Sequence, residues 1–385
     1  MAGGVIMIKN QKNYKIILKT HAPVHIGSGK SIGKKEYILT INNQAKILNL
    51  EKLLQLIAEN NLFTSYYKYM SNHNNTTLAK WLNDNGISQS DIDSLVDYTL
   101  DCRCTSIEQQ NNIKTFMKDA YGNPYIPGSS MKGCLRTILM GCYAENKQKK
   151  YERLKGTIKN KTERELEYRE NHPESKPRPK AFLKYEGNEL EYTTYYTAGR
   201  KNDKPAKDRK NAVNDIMAGI IIGDSEPIKT DNLILCQKCD LRTDEEYRKQ
   251  YVFNECIAPE TEIVLPLTIN SELCNITAEE ITEAIKQFAE SYYQNFVSHF
   301  SVPKHKDDYT LWLGGNVGFA SKTVIYNLFG EYEGVEQTSK ILTALGHYKN
   351  QYDTALGVSP HTINMAVYND IEYHMGECSV AIVEV

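Results

Sequence analysis

The chain has 385 residues, more than the roughly 100–200 of a usual domain, so two domains or one elaborated pair are expected. Its 46 basic and 48 acidic residues leave a formal charge of −2, which excludes nonspecific coating of nucleic acid by bulk charge and leaves only local clusters to bind it. No window reaches the ~20 apolar residues that span a bilayer, the start lacks a signal-peptide pattern, and nine scattered cysteines read as reduced thiols; a cytoplasmic protein with no membrane partner is expected.

Residues 1–4 match no pattern and read as a frayed end or an expression remnant. Residues 14–20 alternate and are rich in β-formers, and 36–41 and 45–48 follow as short strands. Leu50, Leu53, Leu54 and Ile57 then switch to helical spacing, a rhythm that suits a ferredoxin-like or RRM-like fold. Residues 60–120 hold short polar helical pieces, with a start at Ser88-x-x-Asp91 before Ile92, Leu95 and Val96. They read as a helical insertion, around 50–118, within an N-terminal domain of residues 5–145. A helix after Ser130, with Leu135, Ile138, Leu139 and Cys142 on one face, closes that domain.

The segment 146–212 is a basic insertion. Residues 147–180 carry 12 basic against six acidic side chains, and 200–210 six against two, so the rest of the chain is net acidic. Two readings stand: a solvated charged helix with a flexible tail, or an arm that faces nucleic acid.

The C-terminal domain, 213–385, offers strands at 216–222, 233–241 and 261–269. Thr277-x-x-Glu280 is a capping box before an apolar stripe of Ile281, Ile285, Phe288, Tyr292, Phe296 and Phe300, the clearest helix in the chain. A strand, glycine loop and helix recur at 311–328, followed by a helix at 335–345 and strands at 363–367 and 378–385. The fold class is therefore α+β: two tandem ferredoxin-like (RRM-like) domains with a helical and a basic insertion.

Three glycine-rich stretches carry the chemistry. Ile126-Pro127-Gly128-Ser129-Ser130-Met131-Lys132-Gly133-Cys134-Leu135-Arg136 is a turn running into a helix, with Ser129 or Ser130 as cap and Lys132 and Arg136 on one face. Free backbone N–H groups and the positive end of the dipole suit an anion there. His25-Ile26-Gly27-Ser28-Gly29-Lys30 and Gly314-Gly315-Asn316-Val317-Gly318-Phe319 let backbone approach a phosphate chain closely. Ser321 and Lys322 follow the last stretch at an expected helix start, and Trp312 precedes it with a face for stacking. It lacks the Gly-Lys-Ser/Thr of a nucleotide triphosphate loop, and a tight structural turn is the rival reading.

His25 is a candidate general acid or base, yet no second positioned group accompanies it. Cys236-x-x-Cys239 sits in one strand where positions three apart face opposite sides, and Cys102-x-Cys104 is weaker still; no metal is expected. The 26 tyrosines against nine phenylalanines suit wet interfaces and base stacking, or reflect a low-GC genome.

Taken in order, Tyr14–Thr20, the three glycine stretches, Glu36-Tyr37-Ile38, Gly223-Asp224-Ser225, Glu255 to Thr261 and Gly376-Glu377-Cys378-Ser379-Val380 resemble the RAMP superfamily of CRISPR effector proteins. Within it, they are most similar to the fifth-subunit family of type III-A Csm complexes, over residues 14 to about 382. The resemblance implies a subunit that caps the 3′ end of the CRISPR RNA (crRNA), terminates a filament of related subunits and takes part in 3′ maturation. It implies other Csm subunits and host 3′–5′ exoribonucleases as partners. His25, Gly27, Ser28, Gly29, Lys30, Gly128, Ser129, Ser130, Lys132, Arg136, Gly314, Gly315, Gly318 and Lys322 become the expected RNA contacts. The superfamily's slicing subunit carries an aspartate after its first glycine motif; residues 27–36 hold none, and Glu36 begins a strand, so a non-cleaving subunit without cofactor is expected. A metal-independent processing endoribonuclease using His25 and a general single-strand RNA-binding module are the alternatives.

Overall fold

A computed structural model describes residues 10–40, 42–72, 76–103, 111–177, 181–197, 210–305 and 307–385. The readings for residues 1–4, for Cys104, for Pro179 and for all of the basic run 200–210 except Lys210 lie outside them.

The chain begins with β1 (Gln11–Thr20), β2 (Gly27–Ile32), β3 (Tyr37–Leu39) and β4 (Gln44–Leu48). Four short helices follow, α1 (Leu50–Glu59), α2 (Phe63–Ser71), α3 (Leu78–Asp84) and α4 (Gln89–Ser94), then β5 (Val96–Asp101) and β6 (Ile113–Phe116). Next come α5 (Gly128–Asn146), α6 (Gln148–Asn171) and α7 (Lys184–Tyr195). The remainder is β7 (Ile220–Ile222), β8 (Leu233–Arg242), β9 (Tyr247–Ile257), β10 (Glu262–Asn270), α8 (Ala278–Asn295), β11 (Thr310–Trp312), α9 (Ile325–Phe329), α10 (Glu331–Ala344), α11 (Asp353–Leu356), β12 (Thr362–Tyr368), β13 (Ile371–His374) and β14 (Glu377–Glu384).

These strands make two curled sheets of an α+β fold, as expected of tandem RRM-like domains. One is five-stranded, ordered β11-β14-β1-β10-β7. Tyr14, Ile16, Leu18 and Thr20 of β1 point to one face, which is why its alternation is visible in the sequence, and β1 pairs antiparallel with both β10 and β14. The other sheet has nine strands, ordered β2-β6-β9-β8-β5-β4-β3, with β12 on β8 and β13 on β12. Each sheet thus draws strands from both sides of the segment 146–212. The main hydrophobic core joins them, from Ile16 and Leu18 through Met131 and Leu135 of α5 to Ile281, Ile285 and Phe288 of α8.

The helices α1 to α4 share a satellite core around Leu53, Ile57, Trp81 and Leu82, closed on the sheet by Ile38 and Leu48. Their starts are capped as polar side chains dictate: Asn49 accepts from Lys52 N, and Ser88 accepts from Asp91 N. The helical pieces end at Ser94, earlier than the sequence suggests. Residues 96–101 and 113–116 are strands, because their backbones find partners in β4 and β8 and in β2 and β9, with Leu100, Ile113 and Phe116 buried. The capping box at Thr277 and Glu280 forms, and the stripe it starts continues past α8 as buried Phe296, Val297 and Phe300.

The basic segment 148–171 is a single 24-residue helix, α6, that buries Tyr151, Ile158, Thr162 and Arg169 and packs against α7 and α10. Several of its cations are neutralised within the chain: Lys155 by Glu152, Lys161 by Glu186, Arg169 by Glu165, and Lys159 by Glu333. Cys236 packs with Ile234, Cys256, Ala366 and Met375, while Cys239 joins the main core on the opposite face of β8. Among the described residues no helix is long and apolar enough to cross a membrane.

Candidate nucleic-acid interface

The first and third glycine stretches are clamped together. Gly315 N donates to the His25 carbonyl at 2.6 Å, and the two residues form an isolated antiparallel bridge. Gly314 adopts φ +94°, and a Cβ there would lie 2.3 Å from that carbonyl, so only glycine fits this approach. His25 itself is buried. Its Nδ1–H donates to the Glu255 carbonyl at 2.7 Å, and burial lowers its pKa, so the ring is neutral. The Glu255 carboxylate is sealed beneath, accepting from Phe116 N at 2.7 Å and from Lys118 Nζ at 3.1 Å. This network fixes the first stretch to β6 and β9. Beyond His25 the chain is less a loop than a strand: Gly27 to Ile32 pair with β6 across a register break, and Gly29, Lys30 and Gly27 are exposed.

The second stretch is anchored from afar. The start of α5 has Pro127 as N-cap with no side-chain cap, a correction to the expected Ser129 or Ser130 cap. Asp224 supplies the missing acceptor, taking the Gly128 N–H at 2.8 Å, and Ser225 bonds Ile126 through both Oγ and N at 2.9 Å. A Cβ on Gly128 would lie 2.2 Å from the Ile222 carbonyl. A carboxylate therefore already occupies part of the anion-attracting helix end.

Lys132 and Arg136 share a face, as their spacing requires, and that face turns toward Asp215. Arg136 pairs with Asp215 at 2.9 Å and Glu191 at 3.0 Å and lies over the Tyr195 ring. Ser130, Gly133, Cys134 and Thr137 form a different face, and it is this one that meets the glycine clamp. Together with Ile26, Gly27, Trp312, Leu313, Gly314, Gly315, Ser321 and Lys322 they line one cavity of about 360 Å³. All three glycine stretches thus converge. Of the expected contacts, Gly27, Ser130, Gly314, Gly315 and Lys322 line the cavity; Lys132 and Arg136 lie off it.

Lys322 brings the positive charge. Its ammonium has no ion pair among the described residues and sits where desolvation lowers its pKa, although the residue is exposed overall. Two features of the third stretch differ from expectation. The glycine loop leads into a three-residue 3-10 turn, Ala320–Lys322, and α9 begins only at Ile325. Trp312 is not a stacking platform: it is buried, with Nε1 donating to His374 Nδ1 at 2.9 Å. Cys134 offers no nucleophile, since burial pushes its thiol up to about 12. Among the described residues no group of three or more His, Cys, Asp or Glu could hold a metal ion. The cavity is thus a slot walled by glycine backbone and hydroxyl side chains, with one cation unpaired among the described residues at its edge. Sequence reasoning missed Asp224, Glu255, Gly133 and Thr137 as its supports and walls.

The sequence matches the RAMP superfamily over residues 17–348. It is 28% identical to the CRISPR system Cms protein Csm5 of Streptococcus thermophilus, covering 86% of this chain and 84% of that protein. Identity to Csm5 of Mycobacterium tuberculosis (strain H37Rv) is 24%, covering 96% and 98%. Among solved structures, a chain of the Csm–crRNA–target RNA ternary complex of a type III-A CRISPR–Cas system superposes with a TM-score of 0.63 at 18% identity, covering 96% of this chain and all 100% of that one. The crystal structure of T. onnurineus Csm5 gives 0.59 at 18% identity, covering 94% and 99%. With the family match covering most of its length and the two-sheet fold shared, the chain belongs to the RAMP superfamily.

Proposed function

We propose that this chain is the Csm5-type subunit of a type III-A Csm complex and that it holds the 3′ portion of the crRNA without cleaving it. The observation that carries the reading is the convergence of Gly27, Ser130, Gly133, Gly314 and Gly315 on one slot bordered by Lys322. Glycine backbone, with no side chain in the way, admits a phosphodiester chain closely, the Ser130 side chain lines the slot with a hydroxyl, and a single unpaired lysine adds charge without bulk. Contacts of that kind fix position and carry no sequence information, which suits a subunit that holds RNA by its backbone.

The non-cleaving reading rests on His25. Cleavage at a 2′-hydroxyl needs an acid and a base at the scissile phosphate. His25 is buried, its Nδ1 is engaged with Glu255, and the carboxylate nearest to it is sealed among Phe116, Lys118 and Tyr98. Residues 27–36 offer only Glu36, whose carboxylate accepts from Gly33 N. Partners in this reading are the crRNA, the other Csm subunits and, at the trimmed end, host 3′–5′ exoribonucleases.

The test is to assemble the complex with and without this chain and sequence the 3′ ends of the bound RNA. Uniform, shortened ends only when the chain is present are expected. Identical ends in both preparations would overturn the reading, and specific cleavage of repeat RNA by the purified chain, lost in His25→Ala, would establish the endoribonuclease alternative.

A further inference from the structure

A second, larger cleft of about 820 Å³ lies on the other side of the loop 316–319, between that loop, residues 346–350 and residues 360–364. Lys322 lines both it and the first cavity, so the two are neighbours across one strip of backbone. Its wall carries Lys349, His347 and His361 together with Lys322, and no Asp or Glu lines it, in a chain whose net charge is −2. Lysines such as Lys286, Lys304 and Lys340 are held in ion pairs, whereas Lys322 and Lys349, on the wall of this cleft, have none among the described residues. Tyr348 is 53% exposed at the rim.

One group in the cleft is held rigidly. Asp353 is fully buried and accepts from Asn350 Nδ2, from Ser359 Oγ and from His361 Nδ1, each at 2.7 Å. With Nδ1–H committed to that carboxylate, His361 has a fixed ring whose Nε2 is left for a hydroxyl, which can either donate or accept. On the loop itself, Asn316 Nδ2 is buried without a hydrogen-bond partner. Unpaired cations, a fixed imidazole and an exposed aromatic ring match the three parts a ribonucleotide presents to a protein: phosphate, 2′-hydroxyl and base.

We infer that this cleft is a ribonucleotide subsite that receives single-stranded RNA after it crosses the glycine loop. The phosphate lies between Lys322 and Lys349, the 2′-hydroxyl hydrogen-bonds His361 Nε2, and the base rests against Tyr348. The inference deepens the proposed function and rests on it.

The experiment is photo-crosslinking of the full chain to a short single-stranded oligoribonucleotide carrying 4-thiouridine at its 3′ end, with the crosslinked peptides mapped. Crosslinks are expected on the peptide bearing Tyr348, weakened roughly three- to tenfold when the terminal 2′-hydroxyl is replaced by hydrogen, as loss of one hydrogen bond predicts. Lys349→Glu, an exposed change outside the first cavity, should lower affinity and reduce the slope of log affinity against log salt by about 0.7, the value of one phosphate contact on a single strand. Crosslinks confined to peptides bearing Gly27 or Gly315, or Tyr348 crosslinks insensitive to both changes, would overturn the subsite and leave the first cavity standing. Absence of crosslinks at both places would overturn the proposed function as well.

Discussion

The amide of Gly315 donates to the carbonyl of His25, and this one hydrogen bond, 2.6 Å long, joins the first glycine stretch to the third. Everything else at the site is arranged around it. Glu255 holds the His25 ring from below, Gly376 holds Leu313 N through its carbonyl at 2.8 Å, and α5 brings its small-residue face across the top. His25 therefore acts through its main chain and its fixed ring, as a positioning residue.

Gly314→Ala should destabilise the chain by about 2 kcal/mol or more. A Cβ would lie 2.3 Å from the His25 carbonyl on a backbone at φ +94°, combining a clash with a conformation that alanine avoids. Denaturant titration checks this; a loss under 0.5 kcal/mol would mean that the clamp yields easily.

Asp224→Ala removes the acceptor for Gly128 N and should cost about 1 kcal/mol, the usual value of an N-cap. Asp224→Asn keeps an acceptor oxygen and should recover most of that loss. Equal losses in both would assign the effect to charge at the helix end instead.

Charge reversal at Arg136 should lower thermal stability, because it sets a third carboxylate beside Asp215 and Glu191. Reversal at Lys132, which lies near Asp215 without a direct ion pair, should cost less. The contrast in melting temperature measures how far Arg136 serves the fold.

Acidification should destabilise the fold through its buried histidines. Burial lowers the pKa of His374 from 6.5 to about 3 and also lowers those of His25 and His305. Each is neutral in the fold and readily protonated when unfolded, so the stability it contributes is complete above pH 6.5 and is lost as pH falls toward the folded value. The slope should approach ~1.4 kcal/mol per pH unit for each fully buried imidazole below pH 6. In His374→Gln, stability from pH 7 to 4 should decline less steeply; an unchanged slope would assign the acid sensitivity elsewhere.

Much of the local structure was legible because its signals are short-range. The alternation of Tyr14, Ile16 and Leu18, the Thr277–Glu280 capping box and the stripe from Ile281 to Tyr292 each lie within a few residues and resolve as expected. The glycine stretches were legible as stretches, and their convergence was not, since nothing near Gly315 announces that its partner is His25. The same holds for Asp224 capping α5 and for Arg136, whose Asp215 and Glu191 partners are distant in sequence. Trp312 looked available for stacking because only the fold brings His374 and Tyr292 around it. β9 was unreadable for a different reason: Arg248, Lys249 and Gln250 break its apolar pattern, and its pairing with β8 supplies what the pattern lacks.

The most direct test of the account uses Gly133. It lies on the face of α5 that lines the cavity, and a Cβ there meets nothing within 4 Å, so a side chain can start into the slot without a clash at its root. Gly133→Ala should raise stability by about 0.5–1 kcal/mol, as expected in a helix interior, and fixes the baseline. The decisive measurement is retention of crRNA by Csm complexes assembled with Gly133→Phe at matched thermal stability. The account predicts at least a tenfold loss of retained RNA, about 1.4 kcal/mol or more, or 3′ ends that become heterogeneous. Wild-type retention with uniform 3′ ends would contradict it.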